Sequence, residues 1–75
     1  MWYEVRIVNN SEWCNETPLC ESYQTLAEAQ ARFDALKATF DDEWGHLDVS
    51  LWLYEMHGDE GTQWGASLDA YGEKE

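Results

Sequence analysis

Basic residues are scarce in this chain. Lysine and arginine together number four against sixteen acids, for a net charge of -12. Such a surface repels nucleic acid and anionic membrane, and it draws basic protein surfaces from a distance. A glycine-rich phosphate loop is missing, no serine sits in a nucleophile elbow, and the two histidines are not paired with a nucleophile. An enzyme is therefore not expected, nor is a cofactor. No run approaches the roughly 20 apolar residues of a membrane span. Met1 leads straight into the strand-like WYEVRIV with no basic segment ahead of it, so the expected location is the cytoplasm.

What is abundant is aromatic. Five tryptophans, four tyrosines and two phenylalanines, within a hydrophobic content of 44%, exceed what an acidic disordered tail carries and indicate a folded globule. Dividing 75 residues would leave two cores too small to offset chain entropy, so residues 1–75 are expected to form one domain. The clearest element is TLAEAQARFDALKATF. Thr25 and Glu28 have capping-box spacing, and Leu26, Ala29, Phe33, Leu36 and Phe40 recur at steps of three and four, which predicts a helix from Leu26 to Phe40. Ala27, Ala31, Ala35 and Ala38 on its other face reflect either helix propensity or a smooth face for close packing.

Strands flank that helix. Trp2 to Val8 alternates Tyr3, Val5 and Ile7 with Trp2, Glu4 and Arg6, and Asp48 to Met56 alternates Val49, Leu51 and Leu53 with Ser50, Trp52, Tyr54 and Met56. Gly58 to Gly61 predicts a hairpin turn, and the return strand Thr62 to Tyr71 would turn Trp64, Ala66, Leu68 and Ala70 inward. Leu19 to Tyr23 is a weaker strand, paired with the first across the loop from Asn9 to Pro18. The fold class is thus α+β, in ββαββ order, an antiparallel sheet with one helix on one face. The other face would expose Trp2, Glu4, Arg6, Trp52, Tyr54 and Met56, with Gln63, Ser67, Asp69 and Tyr71 from the last strand. Contiguous exposed aromatics mark a contact surface unless the long loop or a second copy of the chain, as a homodimer, covers them.

Cys14, Cys20, His46 and His57 are zinc-type ligands, but a C-x5-C pair with histidines on separate segments matches no common site. A small-loop disulfide is geometrically allowed, and without a secretion signal the expected state is two thiols. Neither DDEWGHLD nor HGDEGT has the alternating acids of a calcium loop. Metal is not expected.

The distribution of acid says more than its total. Glu4 and Arg6 cancel in the first strand, and Glu28 and Asp34 are matched by Arg32 and Lys37 in the helix. The excess falls in four segments: Glu12 to Glu21, Asp41 to Asp48, Glu55 to Glu60, and Asp69 to Glu75. FDDEWGHLD sets Asp41, Asp42, Glu43 and Asp48 around Trp44 without one base. General solubility accounts for the total and poorly for this segregation. A module that holds a basic protein through the aromatic sheet face accounts for Trp52 and Tyr54. Nucleic-acid mimicry accounts for both: DNA presents a phosphate every ~3.4 Å of axis along each strand. Carboxylates two apart on a strand stand ~6.6 Å from each other, the scale of successive phosphates along the backbone. Trp44 would then pack where a base or sugar lies.

In size, acidity, lone capped helix and aromatic sheet, the chain resembles the small proteins that bacteriophages and mobile elements encode against host defence, the anti-CRISPR and anti-restriction inhibitors. The resemblance is one of composition and architecture and carries no diagnostic motif. It implies a basic nucleic-acid-binding partner, a subunit of a defence complex in the host cytoplasm, blocked directly and without cofactor. The residues expected to meet that partner are Asp41, Asp42, Glu43, Trp44 and Asp48 after the helix, Trp52, Tyr54 and Glu55 in the third strand, Asp59 and Glu60 at the hairpin, and Asp69 in the last strand.

Overall fold

The computed structural model describes residues 1–9, 17–59 and 61–72. In chain order the elements are β1 (Trp2–Asn9), β2 (Leu19–Tyr23), α1 (Leu26–Glu43), β3 (Val49–Asp59) and β4 (Thr62–Tyr71). The strands form one antiparallel sheet in the order β2-β1-β3-β4, with α1 against one face. The α+β class and ββαββ order read from the sequence are those of the structure. Expected features at Cys14, Glu60, residues 10–16 of the long loop, and the C-terminal Glu73 and Glu75 lie outside the described residues.

Each element follows from its local chemistry. Thr25 caps α1 by accepting from the Glu28 amide at 3.3 Å, and its hydroxyl donates to the Glu28 carboxylate at 3.0 Å. The glutamate therefore grips the cap's side chain instead of its backbone amide. Ala29, Phe33, Leu36 and Phe40 bury themselves against Val5, Ile7, Val49, Leu51 and Leu53. Leu26 stays exposed, as do all four alanines of the opposite face.

Two expectations of the sequence are corrected. The helix does not stop at Phe40. It runs one turn further to Glu43, where the Trp44 amide bonds to the Phe40 carbonyl at 2.7 Å. Gly45 then passes so close to the Asp41 carbonyl that any Cβ there would collide with it. Asp41, Asp42 and Glu43 thus belong to a helix of five acids and two bases, not to a loop. The second correction concerns β4. Leu53 pairs with Asp69 but Tyr54 pairs with Ser67, so Leu68 is an extra residue at a β-bulge. One added residue reverses the parity of all that follows. Asp69 and Tyr71, expected on the open face, lie on the helix side, and Ala70, expected inside, lies on the open face.

The helix covers β1 and β3, touches β2, and meets β4 at its end, where Phe40 and Tyr71 pack edge to face with centroids 5.6 Å apart. Gly72, at φ +78, lets the chain turn away under the Phe40 ring. Thr62 to Asp69 extend beyond this cover and are exposed throughout. Trp64 and Ala66 do point to the helix side, but no helix reaches them. Gly58 and Gly61 take positive φ at the hairpin, as expected.

Candidate functional site

The two faces of the sheet divide the candidate residues between them. On the open face, Glu4 receives the Trp2 indole at 2.7 Å and two nitrogens of Arg6, Nη2 at 2.5 Å and Nε at 2.8 Å, with the Cys20 thiol at 3.5 Å. Arg6 in turn lies 5.0 Å over the Tyr54 ring, Tyr54 stacks on Trp52 with centroids 5.9 Å apart, and Trp52 donates to Ser50 at 2.8 Å. The side chains lie flat along the strands and cover one another. Glu4 is only 8% exposed and Ser50 is fully buried, although among the described residues no other element covers them. Met56 is buried likewise because its sulfur lies where a side chain at position 65 would be, which only Gly65 allows.

Burial alone would raise the Glu4 carboxyl, but the Trp2 and Arg6 hydrogen bonds outweigh it and hold the group below the ordinary carboxylate range. Desolvation and the adjacent Glu4 push the Cys20 thiol up. A raised thiol is a weak nucleophile. Cys20 is free and lies in β2, a small strand residue as expected. With Glu4 neutralised by Arg6, Trp52 and Tyr54 sit half-buried on a face without unbalanced charge.

The acids lie on the other side and at the ends. Asp41 accepts from the Tyr71 hydroxyl at 2.9 Å, and Tyr71 stands opposite Leu51. Asp69 stands opposite Leu53 and caps the Ala70 amide at 2.8 Å. Glu55 is two residues further along β3 on the same face, bonded to His57 at 2.8 Å, and His57 stacks on Trp64 at 4.3 Å. Asp59 closes the series at the hairpin. At ~3.3 Å per residue, the levels of Leu51, Leu53, Glu55 and Asp59 are separated by ~6.6, ~6.6 and ~13 Å. Four carboxylates therefore line one flank, the ledge of β3 and β4 that α1 leaves bare. Asp42 and Glu43 extend it at the helix end, and Asp48 precedes β3 nearby.

The three acids of the last helical turn occupy an unfavourable place. The carbonyl end of a helix carries partial negative charge, and a charge of that sign there costs on the order of 0.3–1 kcal/mol. No base accompanies them in the turn. Lys37, one turn earlier, lies 5.4 Å over the Tyr71 ring, and Arg32 reaches across to Glu21 of β2 at 2.7 Å. That bond holds Glu21 below its ordinary pKa.

Of the residues singled out in the sequence, the structure brings Asp41, Asp42, Glu43, Glu55, Asp59 and Asp69 to the helix side of the sheet or its margins. It places Trp52 and Tyr54 on the opposite face. Trp44 is the helix C-cap. It packs half-buried against the core, and its indole nitrogen is buried with no acceptor among the described residues. Its ring supports the fold at the helix end. Sequence reasoning missed Tyr71, which ties the acid flank to the core through Asp41, and Trp64, 57% exposed beside that flank. The bulge hid the first, and an assumed helix cover hid the second. Among the described residues no three histidines, cysteines or carboxylates converge as metal ligands, and no helix is long and apolar enough to cross a membrane. Comparison with protein families, curated proteins and solved structures returns no match.

Proposed function

We propose that this chain is an acidic inhibitor that occupies the nucleic-acid-binding surface of a basic protein, of the kind found in bacterial defence complexes. The observation that carries it is the carboxylate flank. Asp41, Asp69, Glu55 and Asp59 line one ledge, the strand levels from Leu51 to Glu55 stepping by ~6.6 Å, on the scale of backbone phosphates, and Asp59 standing ~13 Å further on, with Asp42 and Glu43 added at a helix end where they cost stability. Lysines and arginines that neutralise phosphates would meet carboxylates in their place. The test is to capture basic proteins from a host lysate on the immobilised chain and on a variant carrying Asp41→Asn, Asp42→Asn, Glu43→Gln, Asp59→Asn and Asp69→Asn. The captured protein is then assayed for duplex DNA binding. Wild type should displace DNA and the variant should not, with slower association and a flatter salt dependence. A captured protein that binds DNA equally well with the chain bound would remove occlusion.

A second function is favoured by a different observation. Trp52 and Tyr54 stack on a neutral face that no other described element covers. A partner held there would leave its nucleic-acid groove open, and Trp52→Ala would speed dissociation at a cost of ~2 kcal/mol, as for an interface anchor.

A further inference from the structure

The outer edge of β4 is exposed along most of its length. It is ten residues long, ends the sheet, and among the described residues makes no backbone bond except its pairing with β3. Natural edge strands are blunted by lysine, proline, shortness, a bulge or an inward-pointing charge. β4 has no lysine or proline and is ten residues long, and its bulge at Leu68 and helix-side Asp69 lie toward its C-terminal end, leaving Thr62 to Ser67 regularly paired and without these devices. Trp64 and Leu68, two of the most exposed large apolar side chains among the described residues, both sit on it, 57% and 44% exposed.

We infer that β4 is a docking strand and that its occupant is an extended basic segment of a partner protein, which adds a fifth strand to the sheet. The chemistry beside the edge selects the occupant. A strand added to β4 would bring its helix-side residues next to Asp69, Ala66 and Trp64. A lysine opposite Asp69 forms a cross-strand ion pair, and one opposite Ala66 reaches over that small side chain to Glu55. An apolar residue opposite Trp64 covers the exposed indole. On the open side the neighbours are Ala70, Ser67 and Gly65, small enough to admit bulky residues toward Trp52 and Tyr54. A second copy of this chain fits poorly, because two molecules of charge -12 would bring like-charged flanks together. Backbone bonds supply affinity in such strand addition, and alternate side chains supply specificity.

The inference rests on the acidic flank as the partner's contact and adds the partner's conformation. It is tested with a synthetic eight-residue peptide of valine that carries lysine at two successive positions of one strand face, against the same peptide N-methylated at two adjacent central residues. Methylation there blocks both strand edges and leaves charge and composition alone. The unmodified peptide should bind at least tenfold more tightly and should slow amide hydrogen exchange from Gln63 to Asp69. The variant Ala66→Lys should weaken binding of the unmodified peptide by setting a cation between its lysine and Glu55. Equal binding of the two peptides, or no protection along β4, overturns strand addition. It would leave occlusion of DNA by the carboxylates to stand or fall on the displacement assay. Sedimentation of the free chain as a dimer with β4 amides already protected would assign the edge to a second copy and overturn the inference too.

Discussion

The helix-covered face and the open face of this sheet are built on opposite principles. Under the helix, stability comes from apolar burial: Phe33, Ile7, Val5, Leu51 and Leu53 lose all contact with water. On the open face it comes from side chains that lie flat and satisfy one another, from Trp2 and Arg6 on Glu4 to Trp52 on Ser50. The first leaves its margins free for charge, and the acids collect along them. The second uses its Glu4–Arg6 pair internally, and among the described residues it ends neutral. A partner attracted by charge and a partner held by aromatics would thus approach from different directions, which the sequence alone does not reveal.

The comparison breaks most severely at Phe33. Phe33→Ala removes the largest fully buried side chain from the helix interface and should cost about 3–5 kcal/mol. That is comparable to the roughly 4–11 kcal/mol expected for the whole of a chain this size. Thermal unfolding by circular dichroism should show little or no cooperative transition.

Next comes the open face. Glu4→Gln removes the charge that faces Arg6 and replaces one of the two acceptor oxygens, which serve Trp2 and Arg6 separately, with an NH2 that cannot accept, and should cost about 1–3 kcal/mol. Because the folded pKa of Glu4 is depressed, its contribution is present above the ordinary carboxylate value and is lost as pH falls through the folded value. Urea midpoints between neutral pH and pH 3 should therefore fall less for Glu4→Gln than for wild type. Parallel curves would show that the Glu4 cluster does not stabilise the face.

A smaller effect of the opposite sign is expected at the helix end. Asp41→Asn, Asp42→Asn and Glu43→Gln together relieve the dipole conflict and should raise the melting temperature by a few degrees at low salt, less at high salt. A fall would mean that the Asp41 bond to Tyr71 outweighs the repulsion. Smallest of all, a chelator should leave the near-ultraviolet circular dichroism of the tryptophans unchanged, and so should calcium at physiological concentration.

Periodicity and caps are local, so the helix start at Leu26, the inward faces of β1 and β3, and the glycine turn were legible without coordinates. Asp41, Asp42 and Glu43 were legible as a charge cluster, and Trp52 and Tyr54 as a pair on the open face. The half-burial of Trp44 was not legible, because it depends on which elements meet at the helix end, and the side of Asp69 was misjudged because one extra residue in β4 turns it to the other face. The sequence by itself determined which segments are helix and strand and how much acid the surface carries, because these follow from the spacing and kind of neighbouring residues. Only the tertiary structure decided that the acids and the aromatics part company, since a strand's faces depend on register with its neighbour and on how far a single helix can reach. For β4 that reach ends at Tyr71, and the exposed edge follows from it.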